Sequence, residues 1–359
     1  MKKYSKIVAP LAIVGMFLAP TNDVLAGNPD RAGQAGATEL LINPWARSSG
    51  WAGSNVAGAR GLEAMFLNVA GTAFTKKTEI MFARTNWLKG TDININSFGL
   101  TQRVGETGAL GLSIMSMDFG DIDITTVENP EGGIGTFSPQ FINIGLSYAK
   151  GFSDNIYGGL ALKVISEKTA NVSARGVAFD AGIQYVAGKY NQVKFGISLK
   201  NVGPRMKFSG DGLSMKAEIP GSTNGTTYTV ENRTAAFELP SLLNIGGGYD
   251  FYLKKDSASM KTHRITAMGT FTSNSFEKNQ FKVGLEYAWK NMLMVRVGYC
   301  HEKDIRNKDK RTTVFTGPSA GFTVEIPFGK NKSTFALDYS YRATDPFQGT
   351  HSLGARINL

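Results

Sequence analysis

From Thr78 to Leu359 the chain is a succession of segments of about ten residues whose side chains alternate in character with period two, separated by Gly, Asn, Asp and Lys. Between Phe281 and Trp289, the row Phe281, Val283, Leu285, Tyr287, Trp289 opposes the row Lys282, Gly284, Glu286, Ala288. Phe335, Leu337, Tyr339 and Tyr341 likewise oppose Ala336, Asp338, Ser340 and Arg342. At the C-terminus Leu353, Ala355, Ile357 and Leu359 oppose Ser352, Gly354, Arg356 and Asn358. A period of two belongs to a strand, whose successive side chains leave by opposite faces. Rows this aromatic exceed what a soluble sandwich would bury, so the expected arrangement turns the apolar row toward lipid and the small and charged row toward a lumen.

The pattern predicts an all-β, transmembrane antiparallel barrel of about fourteen strands. They are placed at 77–88, 92–104, 107–117, 140–150, 155–167, 172–188, 191–201, 240–252, 261–273, 279–289, 292–301, 317–327, 332–343 and 348–359. An even count leaves both ends of the sheet on one side of the membrane and lets it close without an exposed edge. The longest connections, 118–139, 202–239 and 302–316, follow the third, seventh and eleventh strands, and so fall on the same, external side. Turns such as Gly105-Glu106, Lys189-Tyr190 and Lys290-Asn291 are short, as the periplasmic side of such barrels requires. Within 202–239, the stretches Met206 to Ile219 and Thr226 to Leu239 flank Pro220 to Gly225 and read as an external hairpin, a candidate partner-binding flap.

The N-terminus carries Lys2, Lys3 and Lys6 before the apolar run Ile7 to Pro20, with Val24 and Ala26 preceding Gly27. This is the pattern of an export signal cleaved after Ala26, giving the divisions 1–26 signal peptide, 27–76 plug segment and 77–359 barrel. Residues 46–73 are dense in Ala, Gly and Ser; Ala59, Leu62, Phe66 and Val69 fall at helical spacing, with Arg60 and Glu63 on another side. The expected place of this segment is inside the barrel. The lone Cys300 rules out an intrachain disulfide framework. Removing the signal takes three lysines and Asp23 from the net charge of +10, leaving +8. Much of the remainder sits in loops, at Lys254-Lys255, Lys303 to Arg311 and Lys330 to Lys332, where it would meet anionic lipid headgroups; no nucleic-acid motif accompanies it. The inward pairs Lys282/Glu286 and Asp338/Arg342 are expected to act as charge pairs holding the plug.

The chain has three histidines, His263, His301 and His351, spread over different strand ends, and no Gly-x-Ser-x-Gly elbow. It has neither a His/Cys cluster nor an EF-hand run, so an enzyme, a cofactor and a metal are not expected.

Ala35-Gly36-Ala37-Thr38-Glu39-Leu40-Leu41-Ile42, Ala46-Arg47-Ser48-Ser49-Gly50-Trp51-Ala52-Gly53 and Asn68-Val69-Ala70-Gly71-Thr72-Ala73 resemble the N-terminal pattern of the PorV/PorQ family of Bacteroidota, a branch of the FadL-like barrels. Trp51 stands where that pattern has a Met-like residue, and Val69 where it has proline. Tyr339 to Arg342 and His351 to Gly354 resemble the family's last hairpin. The resemblance implies an outer-membrane component of the type IX secretion machinery, binding the translocon barrel, the attachment complex or the C-terminal signal domain of cargo. The alternative is a FadL-like channel for hydrophobic small molecules, gated by the plug. Candidate plug or partner contacts are Arg47, Trp51, Arg60, Glu63, Asn68, Met206, Phe208 and Tyr228.

Overall fold

The computed structural model describes residues 29–218, 227–253, 262–329 and 333–359. The export signal, the hairpin tip Pro220 to Gly225 and the Lys254-Lys255 and Lys330 to Lys332 runs lie outside the described residues.

Fourteen antiparallel strands form the wall: β1 Thr78–Asn86, β2 Asn94–Val104, β3 Gly108–Asp118, β4 Gln140–Gly151, β5 Ile156–Thr169, β6 Val172–Ala187, β7 Val193–Val202, β8 Leu242–Tyr252, β9 His263–Asn274, β10 Gln280–Trp289, β11 Leu293–Glu302, β12 Phe315–Phe328, β13 Ser333–Thr344 and β14 Thr350–Asn358. Each pairs with its sequence neighbours, and β1 pairs with β14 in register Ile80↔Ile357, which closes the sheet. A short addition, Phe208–Ser209, pairs with the external end of β6. The expected strands are therefore present, with shifted ends.

The alternation lands as the physics of a lipid-facing wall demands. On β10, Val283, Leu285, Tyr287 and Trp289 are exposed on the outside while Gly284, Glu286 and Ala288 are buried against the interior. Among the described residues no helix is long and apolar enough to cross a membrane. The three long connections, now 119–139, 203–241 and 303–314, lie at one mouth of the barrel.

Residues 29–77 fill the lumen. Gly36 donates to the Glu238 carbonyl (3.1 Å) and Arg31 pairs with the Glu238 carboxylate (3.1 Å), so this segment starts at the external mouth. It then runs down to Thr78 at the opposite end, where Leu359 donates to the Thr78 carbonyl. The helical spacing of Ala59 to Val69 overstates the regularity of the segment. Its helical pieces, Ala46–Ser49, Gly61–Glu63, Ala64–Leu67 and Val69–Phe74, are one or two turns long. Gly61 at φ +68° prevents continuation from Arg60, and the chain bends instead to follow the wall. Leu62 and Val69 are buried all the same.

Candidate functional site

Among the described residues, cavities lie on both the external and the periplasmic side of the plug. The external one is the larger, about 490 Å³, and its walls include Ile42, Val56 and Phe66 of the plug and Trp87, Phe119, Phe141 and Phe315 of the barrel and its rim. Three cations reach it from the inward rows of the wall: Lys200 of β7, Lys282 of β10 and Arg342 of β13. Lys200, only 4 % exposed, places its ammonium 3.6 Å from the centroid of Phe66. The Arg342 guanidinium lies 3.7 Å over the Phe315 ring. Cation–π contact lowers the cost of desolvating these groups without neutralising them. Among the described residues no carboxylate lies within ion-pair distance of any of the three.

The cavity's own acids do little to compensate. Glu39, in the single turn Thr38–Leu41, is buried facing Glu167 of β5, and neither of its carboxyl oxygens has a hydrogen-bond partner. Burial, reinforced by the charge of Glu167, pushes Glu39 up to about 8. Burial and the neighbouring Glu302 likewise raise Glu277, in the external turn after β9. Burial thus raises both carboxyls, and the three cations of the chamber keep no carboxylate within ion-pair distance among the described residues.

The second cavity, about 220 Å³, opens at the periplasmic end and is polar: Arg47, Asn55, Arg60 and Glu63 come from the plug, and Lys194, Asp250, Arg264 and Glu286 from the wall. Two of its acids are well paired, whereas Glu63 Oε2 has no hydrogen-bond partner. Asp250 takes Lys194 at 2.7 Å and the Thr266 hydroxyl at 2.7 Å. Glu286 is shared by Arg264 (2.9 Å), Arg296 (3.0 Å) and, across the plug boundary, Arg47 (4.0 Å), which also lies 3.9 Å from Glu63. The partition between the cavities is a single thickness of chain: Ala52, Gly53 and Val56 line the external side, whereas Trp51, Asn55 and Gly58 line the periplasmic side.

The sequence-predicted residues divide accordingly. Arg47, Trp51, Arg60 and Glu63 line the periplasmic cavity together. Asn68 ties the plug to the wall, its amide donating to the carbonyls of Ile183 (3.0 Å) and Ile197 (3.2 Å). Met206 and Phe208 join an apolar cluster with Ala37, Leu40 and Phe237 that fastens the external loop to the start of the plug. Tyr228 is exposed on the outer hairpin Ser214–Glu218/Thr227–Glu231, away from all of these.

The pairs Lys282/Glu286 and Asp338/Arg342 do not form. Residues four apart on an extended strand are separated by about 13 Å, so each member sits at a different depth. Glu286 instead pairs across the sheet with Arg296, its direct register partner, and Asp338 accepts from Thr323. Lys200, Lys194, Arg264, Asn55 and Glu39 were missed as site residues. The signal for the lysines was present in β7, where Lys194 and Lys200 share the inward row with Gly196 and Ser198.

No protein-family model matches this sequence, and no curated protein matches it. Solved structures do match. The chain is similar in fold to the toluene transporter TodX of Pseudomonas putida (12 % identity, 88 % of this chain and 97 % of that one, TM-score 0.51). It is similar also to a Pseudomonas aeruginosa FadL homologue (12 % identity, 87 % and 98 %, TM-score 0.50). The fold is thus that of a plugged, fourteen-stranded FadL-like barrel. The resemblance to the PorV/PorQ branch is carried no further by these neighbours.

Proposed function

We propose that this chain is an outer-membrane channel for small apolar molecules that carry an anionic group. The observation that supports it best is the external chamber, where aromatic and aliphatic walls surround Lys200, Lys282 and Arg342 with no carboxylate among the described residues within ion-pair distance. Concave, largely apolar sites with a few convergent polar groups are what small-molecule recognition requires. An apolar body would displace water from the walls while a carboxylate supplied the missing counter-charge. The transport of toluene named for one structural neighbour agrees with the apolar half of this reading. Export through the signal cleaved after Ala26 delivers the chain to that membrane.

The test is calorimetric titration of the purified barrel in detergent with octanoate and with octanol. Octanoate is expected to bind at least tenfold more tightly, and Lys200→Gln to erase most of that difference. Equal affinity for the two probes would refute the anionic part of the proposal.

A secretion-docking role, as the N-terminal resemblance implies, is the second reading. It is favoured by a plug tied to the wall at Glu286, Ile183 and Ile197, which suits a scaffold that need not open. Co-purification of a translocon barrel, attachment-complex subunit or exported cargo from native membranes is the outcome it requires.

A further inference from the structure

On the lipid-facing side of the wall, the outward rows of β5 and β6 end at the external rim in exposed cations. The row of β6 runs Phe179, Val177, Arg175, and that of β5 runs Leu162, Val164, Ser166, Lys168. Register sets Arg175 opposite Ser166 and Lys168 opposite Ser173. The chain leaving β7 adds a third cation. Phe208 and Ser209 pair with Ala174 and Ser173, and Met206 packs on Gly176 from within, so Lys207 lies beside Arg175 on the outer face. Directly opposed side chains start about 5 Å apart and diagonal ones about 7–8 Å, which lets the ends of three long side chains converge. Among the described residues none of the three makes an ion pair or a side-chain hydrogen bond. Asp118, outward at this level on β3, is two strands from Lys168 with Gln140 between them, and its Oδ1 accepts from the Gly120 amide (3.0 Å). Immediately below the cations the same rows turn apolar, and Leu162, Val164, Val177 and Phe179 are all exposed. That boundary is where acyl chains give way to headgroups on a barrel of this kind.

We infer that this rim patch binds an outer-leaflet lipid whose headgroup carries a phosphate, with Arg175 flanked by Lys168 and Lys207 on the phosphate and the acyl chains along Leu162, Val164, Val177 and Phe179. Charge complementarity decides the occupant. Three cations without a counter-charge at headgroup level attract an anion, and the apolar strip directly beneath them selects one attached to acyl chains over a free ion. The guanidinium fork matches two phosphate oxygens, the ammonium groups act as point charges, and the hydroxyls of Ser166, Ser173 and Ser209 stand on the same face as further donors. The site lies on the outer wall, so it is independent of what the lumen carries. It also borders the segment 206–209, whose Met206 and Phe208 pack with Ala37 and Leu40, so a bound lipid would brace the external loop where it fastens the start of the plug.

The experiment is calorimetric titration of the intact barrel in a non-ionic detergent with dioctanoyl phosphatidate, dioctanoylglycerol and inorganic phosphate. The proteins are wild type, the rim triple variant Lys168→Gln/Arg175→Gln/Lys207→Gln, a triple variant of equal charge change in loop 303–314, Arg306→Gln/Lys308→Gln/Lys310→Gln, and Lys200→Gln. Folding is checked by heat-modifiable migration. Wild type is expected to bind the phosphatidate at least tenfold more tightly than either other probe. The rim variant should weaken that binding tenfold or more, whereas the loop variant and Lys200→Gln change it less than twofold. If the rim variant does not fold, Arg175→Gln alone takes its place, with a loss of threefold or more. Equal weakening by the two triple variants would overturn the site in favour of general attraction to a basic surface. A loss with Lys200→Gln and none at the rim would put the phosphatidate in the lumen. Phosphate bound as tightly as phosphatidate would make the patch an anion site without a lipid, and dioctanoylglycerol bound as tightly would remove the role of the cations; either overturns the proposal.

Discussion

Replacing Glu286 by Gln tests how the lumen holds its plug. The carboxylate is 2 % exposed and receives Arg264 at 2.9 Å and Arg296 at 3.0 Å, and the Arg296 side chain is fully buried. Removing one member of a buried ion pair leaves its partner desolvated and unpaired, which costs about 3–5 kcal/mol. Glutamine keeps the shape and one acceptor oxygen, and Arg296 keeps its bond to the Thr323 hydroxyl at 2.6 Å. The expected loss is therefore near the lower end, about 3 kcal/mol, or roughly two orders of magnitude in the folded-to-unfolded ratio. The contribution of the plug is separable. Arg47 stands 4.0 Å from the same carboxylate. At an effective dielectric of about 20 the Coulomb attraction at that distance is about 4 kcal/mol before desolvation, so a net coupling on the order of 1 kcal/mol is expected. Urea unfolding in micelles of wild type, Glu286→Gln, Arg47→Gln and the double variant gives both numbers through a double-mutant cycle. A Glu286→Gln barrel within about 0.5 kcal/mol of wild type would refute the claim that this carboxylate is the electrostatic anchor.

Gly298→Ala would place a methyl 2.8 Å from the Ala52 nitrogen and closer still to the Trp51 carbonyl, forcing the partition inward. Such overpacking is expected to cost about 1–3 kcal/mol and to raise single-channel conductance in planar bilayers; an unchanged, closed channel would show that the partition is not sealed at this contact. Glu39 is raised by burial, so its contribution to stability is complete below the ordinary carboxylate range and is lost as pH rises through about 8. The unfolding midpoint of wild type should therefore fall between pH 5 and 9 more steeply than that of Glu39→Gln, and equal slopes would count against the buried Glu39–Glu167 contact. Met206, buried between the external loop and Ala37 and Leu40, should cost about 2–5 kcal/mol as Met206→Ala and expose loop 203–241 to protease; resistance equal to wild type would argue that the loop is held elsewhere.

Electrostatics and hydrophobicity are arranged in opposite senses in this barrel and in a soluble protein. The aromatic and branched residues of β10 and β13 are on the outside, and charges are within, where Asp250 and Glu286 are ion-paired near the periplasmic end while Lys200, Lys282 and Arg342 of the external chamber have no carboxylate among the described residues within ion-pair distance. That gradient, rather than any single motif, is what separates a chamber able to accept a guest from a network that holds the plug.

The barrel was legible because its signal is local. Each strand declares itself by which of its alternate residues tolerate lipid, and the loop lengths after the third, seventh and eleventh strands declare the external mouth. That Arg47, Trp51, Arg60 and Glu63 line one cavity is seen only in the folded chain. Charge partnership was not legible, because it depends on the register between strands and on depth along the lumen. Glu286 reads along the sequence as a neighbour of Lys282, yet register gives it Arg296, and Lys282 is left to the cavity. Nor does any periodicity tell that Ala52, Gly53 and Val56 face one chamber while Trp51 and Asn55 face the other. The sequence alone determined the wall, its orientation and the segment that enters it, since side-chain period and connection length are properties of neighbours in the chain. Only the tertiary structure decided which lumenal charges are neutralised and which remain available to a guest, because that balance is set by distances between residues the chain keeps far apart.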